Sequence, residues 1–289
     1  MLFQAQLGVF VLNLLYKLVA YMLKYHAIPS RYQYKFYTIV KNKPVFVISR
    51  IKSSRVKMSL NIGDYVQYWI FMDGCYEPET FNFIASKIKD HVFVDMGANV
   101  GNFSLGLCKL AKHIFAFEAS KANAEALTYN LKVNNVNNVT VVNRAVEIED
   151  NKLLELNLSP DTSGNNSLYT KAGNSFEKVQ SITLDTFIIE HQVKELGLIK
   201  IDVEGAEFSA LKGAEATLQK FKPIIVCEFN KGAAEIAGWK LIDLYDYLVT
   251  QGYKAFSIGV HGLDEFNSDS MDKIGFSENL VYVHKLGFH

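Results

Sequence analysis

A glycine turn between two apolar runs carries the strongest chemical signal in this sequence. The run from His91 to Met96 leads into Gly97-Ala-Asn-Val-Gly101 and then into a segment that can form a helix. A strand that ends in glycines and opens a helix lets the backbone approach a nucleotide-like ligand closely. Glu118 ends the next apolar run, 21 residues after Gly97. A carboxylate at that place can accept hydrogens from both hydroxyls of a ribose.

Two features distinguish this turn from a dinucleotide site. The glycine spacing is Gly-x-x-x-Gly rather than Gly-x-Gly-x-x-Gly. Asp95 stands at the strand end, where it would repel a pyrophosphate and attract a cationic methionine amine. The pattern therefore predicts S-adenosylmethionine as cofactor, with an NAD-type or non-catalytic nucleotide binder as the alternative. The turn after the third strand should flank the adenine, so the expected cofactor-binding residues are Asp95, Gly97, Ala98, Asn99, Gly101, Glu118 and Ala145.

A second acidic cluster follows a later apolar run. Asp202 and Glu204 stand at the carboxyl end of a predicted buried strand, the edge where ligands bind in open α/β sheets. Buried carboxylates need partners, and Lys200 within the strand can be one. Either acid could face a reacting hydroxyl, with His261 in a late glycine-rich loop as a rival base. Glu207 is expected to interact with the dipole of the following helix.

Two further groups of polar residues allow weaker predictions. Asn165, Asn166 and Ser167 lie in a polar loop and either hydrogen-bond a sugar or simply form turns. No His/Cys/Asp constellation requires a metal, and none is predicted. The oxygen-rich alternative would use Asp202, Glu204 and Glu228.

The elements that must position these residues alternate between strands and helices from residue 91 onward. This alternation is typical of parallel βαβ units. The apolar runs predict strands over 91–96, 113–118, 139–143, 152–158, 180–184, 198–203, 223–229, 253–258 and 280–284. The helical segments are a helix from residue 103 capped by Asn102, and helices over 121–134, 207–221 and 241–250.

The order of these motifs resembles that of the FkbM-type methyltransferases, over roughly residues 70–285. The matching segments are 74–79, 94–104, 117–118, 183–185, 199–207, 211–214 and 223–228, of which Lys200-Ile-Asp-Val-Glu-Gly-Ala-Glu207 is the most distinctive. The resemblance implies a class I, Rossmann-like fold with a mostly parallel sheet and an antiparallel C-terminal strand. It also implies O-methylation of a hydroxyl on a sugar, a glycan or a secondary metabolite.

The charge is divided unevenly along the chain. The 289 residues carry 30 basic and 30 acidic side chains, a balance that argues against nucleic acid as a partner. Residues 1–63 nevertheless contain ten basic residues and no acidic one, while residues 64–289 have a net charge of −10. We therefore expect a basic appendage over 1–63 and a methyltransferase domain over 64–289, with a small-molecule or glycan acceptor.

The appendage begins with an apolar segment. Apolar side chains from Leu7 to Tyr25 recur at helical spacing and predict one wide apolar face. This helix could pack on its own domain or on a twin subunit, lie on a membrane surface, or span a membrane. Contact with a membrane or a second copy would then use residues 1–30, and the catalytic part would be cytoplasmic. Three short strands over 35–40, 44–49 and 55–60 predict a small β-meander, and a membrane-tethered interaction module is a further alternative function.

Overall fold

The computed structural model describes residues 2–51, 54–160, 162–170, 175–259 and 262–286, with side chains from residue 10 onward. The strands within these ranges form three sheets of two, eight and three strands. In chain order they are β1 (Phe46–Arg50), β2 (Lys57–Asn61), β3 (Val92–Met96), β4 (His113–Phe117), β5 (Val139–Val142), β6 (Ala145–Val146), β7 (Leu153–Asn157), β8 (Phe176–Ile182), β9 (Leu198–Ile201), β10 (Ile224–Asn230), β11 (Tyr253–Gly259), β12 (Gly262–Phe266) and β13 (Ser277–His284).

The large sheet has the order β12-β11-β13-β10-β9-β3-β4-β5. Its strands β10, β9, β3, β4 and β5 are parallel, and β13 pairs antiparallel with both β10 and β11. The predicted fold class is thereby confirmed: a mostly parallel sheet with an antiparallel C-terminal strand. Every residue of β3 and β9 is buried, which explains why both strands are mostly apolar in sequence.

The helices alternate with the strands as predicted. They are α1 (Leu2–Lys24), α2 (Gln33–Val40), α3 (Tyr65–Asp73), α4 (Pro78–Lys87), α5 (Asn102–Leu107), α6 (Lys121–Val133), α7 (Leu184–Glu190), α8 (Glu207–Lys212), α9 (Glu215–Phe221), α10 (Lys231–Ala237) and α11 (Leu241–Thr250). The single helix predicted over 207–221 is wrong, because the chain forms α8 and α9 with a break at Gly213. A Cβ at Gly213 would lie 2.2 Å from the backbone oxygen of Glu147, and glycine is a poor helix former.

The strand predicted over 35–40 is also wrong, because this segment forms α2. Its buried residues Phe36, Tyr37 and Val40 share one helical face, and the Tyr37 ring packs 5.1 Å from the Tyr68 ring, centroid to centroid. Aromatic and β-branched composition favours strands only weakly, and tertiary packing overrides it here. The predicted meander is therefore the two-stranded antiparallel pair β1–β2.

Residues 1–63 pack against the α/β part through one continuous apolar core. That core contains Ala20 and Leu23 of α1 together with Phe93 of β3. Polar contacts add to it, since the side chains of Asn130 in α6 and of Asn134, just after α6, accept hydrogen bonds from the β2 backbone at 2.8 Å. The basic segment is therefore packed against the α/β part of the chain.

Most of the predicted apolar face of α1 does not pack on this chain. Ala20 and Leu23, on the other side of the helix, are buried, whereas the exposed residues of the predicted stripe are Phe10, Val11, Leu14, Leu15, Leu18, Met22 and Tyr25. Tyr21 differs, because its ring packs edge-on against the Phe71 ring, 5.3 Å from centroid to centroid. Among the described residues, no helix is long and apolar enough to cross a membrane.

Candidate active site

Gly97 allows the backbone at the carboxyl ends of β3 and β9 to approach closely. Its φ is +83°, and a Cβ there would lie 1.7 Å from the backbone oxygen of Asp202. Gly101 has a φ of +103°, and its Cβ would meet Leu127 at 2.5 Å. Both positions therefore require glycine for conformation and for space.

The backbone donors of this turn are occupied. The N–H groups of Gly97 and Ala98 both donate to the backbone oxygen of Phe117, at 3.0 and 2.9 Å. Asn99 N–H donates to Glu118 Oε2 at 2.7 Å, and its own side chain accepts from the next residue. A phosphate site depends on free backbone donors, so this turn suits a ligand without phosphate groups better. The glycines serve close packing rather than anion binding.

Glu118 lies at the end of β4 with only 7% of its surface exposed. Its Oε2 accepts from Asn99 N–H, and its Oε1 accepts from Ser120 N–H at 2.8 Å. Burial raises the pKa of Glu118 to about 7, although these hydrogen bonds act to lower it. The Asn123 side chain donates a further hydrogen bond that also lowers this pKa. The two carboxylate oxygens have four lone pairs together, so the group can still accept from a ligand hydroxyl.

Two adjoining cavities meet at Gly97 and Glu118. The first is polar and reaches the acidic residues at the end of β9. The second is an apolar slot beside β6, whose walls include Ala145, Val146 and Leu156. The structure thus places the predicted Ala145 next to the predicted Glu118, as a flat aromatic ring adjoining a ribose would require.

Asp95 lies behind these cavities and lines neither of them. It is fully buried, accepts a 2.5 Å hydrogen bond from Ser104 Oγ through Oδ2, and leaves Oδ1 without a partner. Its strand neighbour in the parallel register is Lys200. The structure therefore places Asp95 behind the cavity lining, between β3 and α5, and its contact with the cofactor stays a prediction.

Lys200 is the buried cation of the site. Its Nζ donates to Asp202 Oδ2 at 2.8 Å and lies 4.6 Å from the centroid of the Phe103 ring. Burial acts to lower the pKa of Lys200, but the carboxylates of Asp202, Glu77 and Asp95 outweigh it and raise the pKa above its usual value. Lys200 therefore stays charged and partly neutralises the acids around it.

Three carboxyl groups converge on the polar cavity. One oxygen each from Asp202, Glu204 and Glu228 lies within 4.8 Å of the other two, so the cluster could hold a cation with oxygen ligands. Burial, together with Asp202 and Glu207, raises the pKa of Glu204 to about 8. Burial also raises the pKa of Glu228 well above its ordinary value. The cavity thus holds more acids than cations, a setting that favours a positively charged ligand.

The loop that carries Glu204 is held under strain. Glu204 has a φ of +51°, in the left-handed region that non-glycine residues rarely adopt, and its backbone oxygen accepts from Ser167 Oγ at 2.6 Å. Glu207, the first residue of α8, accepts from the N–H groups of Val203 and Gly205. Such strain is found at functional sites. Glu207 fixes this loop, in agreement with its predicted role at the helix start.

Several cavity residues were not singled out from the sequence. Tyr76 and Glu77 line the polar cavity, although they belong to the segment 74–79 that carries part of the FkbM resemblance. Glu77 is half-buried, and loss of solvent raises its pKa, while its Oε2 accepts from Asn279 Nδ2 at 3.1 Å. Asn102 was expected to cap α5. It is instead the first residue of that helix, and its side chain hydrogen-bonds both backbone groups of Tyr76.

The predicted loop residues divide between two roles. Asn165 lines the polar cavity with Ser163. The Asn166 side chain instead accepts from Ser159 N–H at 2.9 Å, so Asn166, like Ser167, holds the loop together. His261, the predicted rival base, lies outside the described residues.

The chain has a parallel sheet with an antiparallel strand beside it, a glycine turn and a carboxylate at a strand end. Together these features define a class I, Rossmann-like methyltransferase fold. The chain belongs to the methyltransferase FkbM domain family, whose profile matches residues 95–255. The predicted family is therefore confirmed, as is S-adenosylmethionine as the cofactor of this class.

Known relatives match part of this chain. Methyltransferase 1 of Beauveria bassiana is 27% identical over 174 residues, 53% of this chain and 67% of the relative. The hexuronic acid methyltransferase AglP of Haloferax volcanii is 25% identical over 161 residues, 55% of this chain and 65% of the relative. A crystal structure of methyltransferase FkbM from Methylobacillus flagellatus is 18% identical, with a TM-score of 0.44, over 76% of this chain and 52% of that one.

Proposed function

We propose that this protein is an S-adenosylmethionine-dependent O-methyltransferase that acts on a hydroxyl of a sugar, a glycan or a related secondary metabolite. The observation that carries the proposal is Glu204, a strained carboxyl with a pKa of about 8 that lines the same cavity as the glycine turn. A carboxyl with a pKa near the working pH suits a general base.

The cofactor-binding residues follow from the two cavities. Glu118 would accept the ribose hydroxyls, and Ala145 with Val146 would enclose the adenine in the apolar slot. The excess of carboxyl groups in the polar cavity fits a cationic methionine end. When bound, S-adenosylmethionine supplies an electrophilic methyl group on a sulfonium.

Glu204 rather than Asp202 is the better base. Asp202 Oδ2 is already engaged by Lys200 Nζ at 2.8 Å, so this oxygen is committed to the ion pair. Glu204 is not engaged in this way, and burial and neighbouring acids raise its pKa to about 8. Glu204 would take the proton from the acceptor hydroxyl, while the rigid strand ends hold that oxygen in line.

The acidic lining also limits the acceptor. The burial that disfavours charge on Glu204, Glu228 and Glu77 would equally disfavour a carboxylate beside the reacting hydroxyl, so a neutral acceptor is favoured near the base. One relative is named a hexuronic acid methyltransferase, which supports a sugar acceptor. A sugar that carries an acid would have to direct that group away from the cavity.

The direct test is methyl transfer from labelled S-adenosylmethionine to a panel of neutral glycosides and matched uronic acids. We expect Glu204→Gln to lose about 10²–10⁴-fold in turnover and to keep its affinity for S-adenosylhomocysteine, measured by calorimetry. Glu149→Gln is the matched control, because Glu149 is exposed and pairs with Lys152 on the surface. Full turnover in Glu204→Gln would remove this residue from the mechanism, and lack of S-adenosylhomocysteine binding by the wild type would reject the cofactor site.

A further inference from the structure

The N-terminal segment exposes an unusual amount of apolar surface. More than half of the large apolar side chains that are exposed in the described chain lie between residues 10 and 48. On α1 they form one stripe at helical spacing, with Phe10 67%, Leu14 60% and Leu18 57% exposed. An exposed apolar patch of this kind marks an interaction surface.

The apolar surface continues from α1 onto the neighbouring strand. Tyr21 Oη donates to the backbone oxygen of Ile48 at 2.7 Å, so β1 lies beside the C-terminal end of α1. Phe46 and Ile48 alternate with the buried Val47 and are 56% and 60% exposed. Helix and strand therefore present apolar side chains together.

Basic side chains border this surface. Tyr25, Ile48, Arg50 and Lys57 line one groove between α1 and the β1–β2 pair, in which Asp73 is the acidic residue. Arg50 and Lys57 are exposed. Within residues 1–63 there are ten basic residues and no acidic one. A partner that complements such a surface has an apolar interior covered by a layer of negatively charged groups.

We propose that this surface docks on an anionic lipid bilayer, with α1 lying in the plane of the interface. Apolar helix faces bordered by lysine and arginine bind membranes in this way, each basic residue adding about 1 kcal/mol near an anionic surface. A second copy of the chain is disfavoured as the occupant, because it would bring two segments of ten positive charges together. The proposal is independent of the methyl-transfer reaction.

The test is sedimentation of the full chain with vesicles of phosphatidylcholine, alone or mixed with phosphatidylserine. We expect binding to the mixed vesicles to be at least about tenfold stronger and to weaken with added salt. The double variant Leu14→Glu, Leu18→Glu should lose binding, whereas Ile189→Glu, which alters an equally exposed residue on α7, should bind normally.

A second pair of variants tests the charges without altering α1. Arg50→Glu with Lys57→Glu should remove the preference for phosphatidylserine, and the exposed Lys178→Glu on β8 should not. Circular dichroism verifies that each variant is folded. Equal binding to both vesicle types, no binding to either, or a lipid-free dimer that the Leu14→Glu, Leu18→Glu variant converts to monomer would each overturn the proposal.

Discussion

Replacing Glu118 with glutamine tests whether burial of this carboxyl disfavours its charged form and so makes the stability of the fold depend on pH. Glu118 is 7% exposed, and burial raises its pKa from 4.5 to about 7. A raised carboxyl pKa means that the folded protein binds the proton more tightly than the unfolded chain does. The associated stability is present below about pH 4.5 and is lost as the pH rises through about 7.

The size of the effect follows from these two pKa values. Between pH 5 and pH 8, ionisation of Glu118 should lower the free energy of unfolding of the wild type by about 2.5 kcal/mol. Glu118→Gln has no proton to lose at this position. The free energy of unfolding of the variant, relative to that of the wild type, should therefore rise by about 2.5 kcal/mol from pH 5 to pH 8. The altered hydrogen bonds to Asn99 and Ser120 add a cost that is the same at both pH values and does not affect this change.

The assay is urea unfolding followed by circular dichroism at pH 5 and pH 8, on the wild type and the variant. Glu125→Gln is the matched control, because the Glu125 side chain is 70% exposed on the neighbouring helix α6. The control should differ from the wild type by the same amount at both pH values. A difference for Glu118→Gln that stays constant with pH would refute the argument that burial raises this pKa.

Three further predictions concern the same site. Gly97→Ala should destabilise the fold by at least about 3 kcal/mol in thermal unfolding, whereas Gly275→Ala should be tolerated, because a Cβ there meets nothing within 4 Å. Lys200→Met leaves Asp202 and its neighbours without their cation and should cost about 3–5 kcal/mol at pH 8. That loss should shrink at pH 5, where Glu204, with its pKa of about 8, is protonated, and equal losses at both pH values would contradict it. The turnover number should rise with pH toward a plateau above about 8, the pKa of Glu204, and a profile that is flat from pH 6 to 9 would exclude it as the base.

The local sequence was enough to locate the main strands and the residues at their carboxyl ends. Runs such as 91–96 and 198–203 are mostly apolar because both faces of their strands are buried, and this pattern is visible without the fold. Glycine at 97 and an acid at 118 then follow at fixed distances along the chain. These local signals, with the matching motifs, also identified the family and its cofactor.

The same local reasoning failed where distant contacts decide the outcome. The segment 35–40 has strand-like composition but becomes helical because Phe36 and Tyr37 pack against α3. The glycine turn was expected to bring its backbone close to a ligand, yet the N–H groups at 97, 98 and 99 donate to Phe117 and Glu118. Neither the helix α2 nor the hydrogen bonds of the glycine turn could be recognised from neighbouring residues in the sequence.

The sequence by itself determined which chemical groups this protein has, because strand ends, glycine spacing and charge are local properties. Only the tertiary structure decided how they are used. It paired Lys200 with Asp202 and placed Glu204 outside that ion pair, with its pKa raised to about 8. It also turned the apolar stripe of α1 outward, because Ala20 and Leu23 on the opposite side fill the core. Packing in the folded chain determines which face of α1 is buried, and the hydrophobicity of the helix alone does not predict it.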